Sequence, residues 1–262
     1  MPTDGAVTHR SGLRWSRKDL LVAFALYCKT PFGKIHARNP EIIELSNAIA
    51  RTPSALCMKM LNFASLDSSV TSTGRVGLKR SSIADREIWL ELTADWATSS
   101  VLAETALNHA ANPNLEPSVD GPGLPPTESG TDRKSLQKVR VGQTFFRSAV
   151  MSAYDGRCCV SGLSVPELLV ASHIVPWSVD ADNRMNPSNG LLLSAIHDRA
   201  FDQGIMTIDD DLQVMVSRAV SPTDEFFASV IKVFDGKSLT TPAKFAPNKD
   251  FLAYHREQIF VR

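Results

Sequence analysis

Between Val170 and Thr207 the chain gathers two histidines and an asparagine, His173, Asn189 and His197, among apolar runs. The spacings are 189 − 173 = 16 and 197 − 189 = 8 residues. A histidine side chain has an ordinary pKa near neutrality, so it can take a proton from water without extreme conditions. Phosphodiester hydrolysis asks for such a base, and for positive charge near the scissile phosphate to neutralise the transition state. The intervening residues change character as a compact site requires. Leu168, Leu169 and Val170 read as a strand leading into His173, and Pro176 to Asn189 as a turn-rich loop carrying Asp180, Asp182, Asn183, Pro187 and Ser188. After Asn189-Gly190, the run Leu191 to Leu193 reads as a second strand, and Ala195 to Phe201 as a short helix. The expected order is strand, long loop, strand, helix, with one histidine entering the loop and another on the helix.

Three pieces of this stretch carry a family resemblance: Ser172-His173-Ile174-Val175-Pro176-Trp177, then Asn189-Gly190-Leu191-Leu192-Leu193, then His197-Asp198-Arg199-Ala200-Phe201-Asp202-Gln203-Gly204. Together they resemble the HNH endonucleases, in particular the restriction-type branch, from about Phe145 to Ser217. The resemblance implies a ββα-metal catalytic unit acting on double-stranded DNA, with modified bases as one substrate class of that branch. It assigns His173 the role of general base and makes Asn189 the brace that holds the imidazole in its working tautomer. It makes His197 the ligand of one divalent cation, Mg²⁺ or in its place Mn²⁺, which stabilises the leaving oxygen. Many members carry Asp or His just before the base as a second metal ligand, whereas Ser172 stands there in this chain. A hydroxyl is a poor ligand for a hard cation beside a carboxylate, so either another side chain completes the site, with Asp202 and Asp198 as candidates, or metal affinity is low. Trp177 and Phe201 read most simply as core residues.

The rest of the chain must position this stretch. Its 262 residues, 43% hydrophobic, suffice for two globular domains. The 28 basic and 28 acidic residues cancel, but their distribution does not. From Arg10 to Arg86 there are thirteen basic and five acidic residues, 13 − 5 = +8, which suits a polyanionic partner. Ser16 with Asp19 predicts a capped first helix, and Asn39-Pro40-Glu41 a second. A third helix is expected from about Ser54 to Leu66 after the tight turn Arg51-Thr52-Pro53, giving a helix-turn-helix outline. Its outward residues would include Lys59 and Asn62, within reach of phosphates or base edges. Ser68 to Ser82, with Arg75, Lys79 and Arg80, reads equally as a wing along phosphates or as a solvated loop. Further helices are expected from Asp85 to Trp96 and on to Ala111. Asn112 to Asp132 carries five prolines and three glycines and reads as a linker. An amphipathic helix from Gln143 to Tyr154 would present Arg147 to DNA or to solvent. Cys158 to Gly162 reads as a short strand and turn, Ile205 to Val216 as a hairpin, and Glu225 to Val233 and Lys249 to Phe260 as helices. His9, His36, His109 and His255 stand outside any constellation.

The four cysteines form no Cys-x-x-Cys pair, and with no apolar leader at the N-terminus a reducing cytoplasm is the expected setting. No apolar run approaches the roughly 18 residues of a membrane helix, so no membrane partner is expected. The expected fold class is α+β: a mainly helical, helix-turn-helix-like DNA-binding domain at 13–111, a linker at 112–135, and a ββα-metal HNH nuclease domain at 136–262. The expected function is metal-dependent hydrolysis of DNA, of restriction or defence type, with a homodimer as one expectation. The alternatives are a DNA-binding regulator whose HNH fold has weak or no turnover, which the missing ligand at Ser172 allows, and a hydrolase or interaction protein unrelated to DNA.

Overall fold

A computed structural model describes residues 12–72, 81–112, 130–220 and 224–262. The chain divides into two compact units, Met1–Phe145 and Phe146–Arg262.

The first unit is helical: α1 (Arg17–Lys29), α2 (Pro40–Ala48), α3 (Pro53–Ala64), α4 (Ser68–Thr71), α5 (Ile83–Ala94) and α6 (Trp96–Ala111). Local chemistry sets the helix starts. Ser16 and Asp19 form a reciprocal capping box on α1, Asn39 caps α2 ahead of Pro40, and Thr52 caps α3 ahead of Pro53. Ala50 takes a left-handed φ of 53° between α2 and α3, and Arg51 N–H closes on Ser46 O at 2.8 Å. Buried from Asp19 to Cys28, α1 forms the axis of the unit. Phe24 stands edge-on to Phe63 and Trp89 at centroid separations of 5.8 and 6.0 Å, and Tyr27 stands edge-on to Trp89 at 5.9 Å. Polar residues lock the same helices. The buried Arg51 guanidinium donates to Leu13 O, Arg14 O and the Asp19 carboxylate. Asp85 accepts from Lys59 Nζ at 2.7 Å and from Asn62 Nδ2 at 2.9 Å, tying α3 to the start of α5. Burial opposes the charge of Asp85, yet the bond and charge of Lys59 and the bonds from Ser82 hold its pKa below the usual carboxylate value.

The second unit holds the predicted strand, loop, strand and helix. It begins within α7 (Gly130–Ala153) and continues through β1 (Leu169–His173), β2 (Gly190–Ser194), α8 (Ala195–Asp202), β3 (Met206–Ile208), β4 (Val214–Val216), α9 (Glu225–Val230) and α10 (Lys249–Gln258). β1 and β2 pair antiparallel from Leu169 opposite Ser194 to His173 opposite Gly190, and β3 pairs with β4 as a separate hairpin. Leu191, Leu192 and Leu193 are all fully buried, which is why β2 reads as an unbroken apolar run. Two expectations are corrected. Residues 130–135, placed in the linker, open α7 instead; residues 113–129 of that linker lie outside the described residues. Of the strand and turn expected at Cys158 to Gly162 only the turn forms: Gly162 N–H donates to Cys158 O at 2.9 Å and Gly162 takes a φ of 74°.

His255, which no sequence pattern singles out, clamps the unit. Its ring is buried, lies 3.6 Å from and nearly parallel to the Phe201 ring, and places Nε2 at 3.1 Å from Phe201 O and Nδ1 at 2.8 Å from Thr207 Oγ1. It thereby joins α10 to the end of α8 and to β3. Burial pulls its pKa down to about 4, against about 6.5 when unfolded. The depressed value means that the unfolded chain binds the proton first as pH falls. Stability is therefore complete above pH ~6.5 and is lost between there and pH ~4, by about 3 kcal/mol. Denaturant titrations from pH 7 to 4 should show the parent's stability margin over His255→Gln shrinking by about that amount. A margin independent of pH would refute it.

Candidate active site

His173 is the last residue of β1, and three elements fix its ring. Phe146 of α7 stacks on it at 4.1 Å with 7° between planes, and Trp177 stands edge-on at 5.6 Å. Its Nε2 lies 2.8 Å from the backbone oxygen of Arg184. A carbonyl oxygen only accepts, so Nε2 carries the hydrogen and the lone pair of the neutral ring resides on Nδ1. No partner occupies Nδ1 among the described residues. Burial lowers the His173 pKa from its ordinary value; the Arg184 carbonyl bond and the Asp198 carboxylate pull it up, and the Arg184 guanidinium works with the burial. The net direction keeps the ring neutral, and so able to accept a proton, near pH 7.

Asn189 is fully buried and fastens the loop that follows His173. Its Oδ1 accepts from Val175 N–H at 2.8 Å, and its Nδ2 donates to Val175 O and Asn183 O at 3.2 Å each. Within the loop, Asp180 accepts from the backbone of Asp182 and Asn183, and Arg184 Nε donates to Trp177 O at 2.7 Å. The next residue, Gly190, faces α7. A Cβ there would come within 2.5 Å of Val150 Cγ2 and 3.0 Å of Phe146 Cζ, so glycine is what lets the Phe146 ring reach His173.

The helical phase of α8 separates His197 from His173. Positions 197, 200 and 201 form its buried face, whereas Asp198 and Asp202 lie one turn apart on a different face. His197 is a buried strut: Nδ1 sits 2.7 Å from Ser194 Oγ, and Nε2 sits 2.8 Å from Val230 O. Its ring also borders a cavity of about 420 Å³ walled by Leu163, Leu168, Ile196 and Phe234. The Cys158 thiol lies 3.6 Å from Nδ1. Burial pushes that thiol up, but hydrogen bonds involving His197 and Ser161 outweigh it and bring its pKa to about 6. Both His197 nitrogens thus have partners within the unit. Its neighbour Asp198 is the α8 residue that acts electrostatically on His173, besides the Arg184 guanidinium of the loop. Partial desolvation, and then the Asp198 carboxylate, push the Asp202 pKa up. Ser172 is buried with its Oγ lacking a hydrogen-bond partner. Among the described residues no three side chains of His, Cys, Asp or Glu gather as a metal cluster, so Asp198 and Asp202 stand as a pair.

Residues 158–209, which hold Asn189, α8 and this end of β1, match the model of the HNH endonuclease family. This segment is an HNH endonuclease domain. A solved structure, a modification-dependent TagI restriction endonuclease, is similar over 44% of this chain at 23% identity and a TM-score of 0.34. The match spans 37% of that protein's own length. No curated protein matches the chain.

The remaining expected site residues fall outside the HNH domain's centre. Lys59, expected on an outward face of α3, is buried against Asp85, and Asn62 bonds to the same carboxylate. Arg147 splints α7 to β1 by donating to Leu169 O at 2.9 Å and Pro166 O at 3.2 Å. Arg75, Lys79 and Arg80 lie outside the described residues. Sequence reading gave no role to Phe146's ring, to Arg184 or to the facing of Asp198. The signal for the last was present: the spacing of His197, Ala200 and Phe201 is that of one apolar face, which leaves Asp198 and Asp202 on another.

Proposed function

We propose that this chain is an HNH endonuclease that hydrolyses DNA phosphodiesters, with His173 as general base and a divalent cation held by Asp198 and Asp202. The observation that carries the reading is the His173 ring, with one nitrogen fastened to Arg184 O and the other bare. The donor chemistry suits a hard cation such as Mg²⁺ or Mn²⁺, because both candidate ligands are carboxylates and their mutual repulsion is relieved by positive charge. When bound, the cation supplies positive charge to the phosphate oxygens as negative charge builds up. The protein's own part is proton handling. Nδ1 of His173 takes a proton from water as the water oxygen bonds to phosphorus and the bond to the leaving sugar oxygen breaks. The Arg184 carbonyl and the Asp198 carboxylate favour the imidazolium so formed. Asn189 acts by position, holding the loop that carries Arg184 O.

On this reading the helical unit at 13–111 holds the duplex, with Arg75, Lys79 and Arg80 as phosphate contacts, and the segment at 112–135 links it to the nuclease at 136–262. A homodimer would bring two such sites to the two strands. The restriction-type motifs make methylated as well as unmodified DNA the substrates of choice, and a reducing cell interior the setting. No helix among the described residues is long and apolar enough to cross a membrane. Incubation with supercoiled plasmids of both kinds and Mg²⁺ or Mn²⁺ should give nicked or linear products that chelation abolishes. Cleavage indifferent to chelation, or none on any plasmid, would contradict the proposal.

A further inference from the structure

One side chain in the loop between His173 and Asn189 is anchored, charged and without a counter-ion. Arg184 Nε donates to Trp177 O at 2.7 Å, and its guanidinium carbon lies 4.9 Å above the Trp177 ring. That ring stands edge-on to His173 at 5.6 Å, and the Arg184 backbone holds His173 Nε2. The guanidinium is therefore fixed beside the base by two attachments that leave its two terminal nitrogens free. No carboxylate pairs with it among the described residues. The nearest acid of the loop in sequence, Asp182, ion-pairs with nothing among them, and Asp180 is committed to the loop's own Asp182 and Asn183. A half-buried guanidinium with an open fork, held rigidly on an aromatic face, is the arrangement that recognises a phosphate or carboxylate through two parallel hydrogen bonds.

We infer that Arg184 is a phosphate-binding residue, whose terminal nitrogens grip the non-bridging oxygens of a nucleic-acid phosphodiester presented to His173. The inference rests on the nuclease reading of the same site, and adds a fixed organic cation on the loop side opposite in origin to the α8 carboxylates. Because the fork is anchored before substrate arrives, little rotamer freedom is lost on binding. Because its charge sits next to the base, it opposes the negative charge that develops as the water proton leaves. Trp177 acts through Arg184, as a positioning residue.

Arg184→Ala and Arg184→Lys would be compared with the parent in two measurements on full-length chain, with thermal melts confirming folding. The first is the rate of duplex cleavage in Mg²⁺. Arg184→Ala should fall by about 10²-fold or more in kcat/KM, and Arg184→Lys should recover part of the loss, since it keeps charge without the fork. The second is the salt dependence of duplex binding in Ca²⁺. The slope of log affinity against log salt should shrink by about 1 in Arg184→Ala, the signature of one lost phosphate contact, which a merely structural side chain would not produce. If the parent cuts no DNA but Arg184→Ala still loses that slope, the nuclease reading fails and Arg184 keeps its phosphate. A folded Arg184→Ala with parental rate and parental slope overturns the inference, whether or not the parent cuts.

Discussion

Asp198→Asn is expected to weaken Mn²⁺ binding by about 100-fold or more, because it removes a charged ligand where even supporting residues around a metal are worth 10–100-fold. Isothermal titration of the full chain with Mn²⁺ reads this without reference to cleavage. The informative comparison is His197→Ala. His197 spends Nε2 on Val230 O and Nδ1 on Ser194 Oγ, so its loss leaves a part-buried carbonyl unpaired and should cost about 1–3 kcal/mol of stability. Its Mn²⁺ affinity, measured on folded protein, should stay within about threefold of the parent, since on this account the imidazole is no part of the donor set. Loss of Mn²⁺ binding in His197→Ala with retention in Asp198→Asn would reverse the assignment and return the cation to the histidine.

Gly204→Ala is expected to be the most disruptive single-methyl change in the catalytic unit. Gly204 follows α8 with a φ of +65°, and a Cβ there would lie 2.1 Å from the backbone oxygen of Ile259. The left-handed backbone costs a residue with Cβ about 1–2 kcal/mol, and forcing apart packed backbone costs about 1–3 kcal/mol more. The C-terminal segment would have to move, although Val261 N–H donates to Gly204 O at 3.0 Å and α10 carries the His255 clamp. A stability loss of about 2–5 kcal/mol in denaturant titration, with cleavage falling in parallel as Asp202 shifts, is the expected outcome. A loss under about 1 kcal/mol would mean that the contact between the α8 turn and the C-terminal segment is not formed in solution.

These two cases mark what a linear reading reaches. Helix starts at Ser16 and Asn39 are legible because a cap and a first-turn acid, joined at Asn39 by a proline, act within four residues of one another, whereas Thr52 and Pro53, read as a turn, cap and open α3. The β1 and β2 pair is legible for the same reason, and so is the buried Asn189, whose partners all lie within the loop it closes. The choice between His197 and Asp198 is of another kind. Adjacent residues on a helix point about 100° apart, so motif spacing tolerates either, and the phase imposed by the buried Ala200 and Phe201, which puts His197 on the inner face, is what favours Asp198 in the proposed donor pair. Lys59 and Asn62 look outward until Asp85, more than twenty positions away, arrives to bond both and bury Lys59. His255 bonds to a carbonyl 54 residues distant, a contact with no local trace in the chain. Gly204 stands in the quoted motif, but its reason lies at Ile259, across the folded unit.

The most direct test of the central claim is the rate at which His173→Ala relaxes supercoiled plasmid in Mg²⁺, set beside its affinity for the same DNA in Ca²⁺. If His173 Nδ1 takes the proton of the attacking water, the rate should fall by about 10²–10⁴-fold while affinity stays near that of the parent. A folded His173→Ala that cuts as fast as the parent would contradict the account.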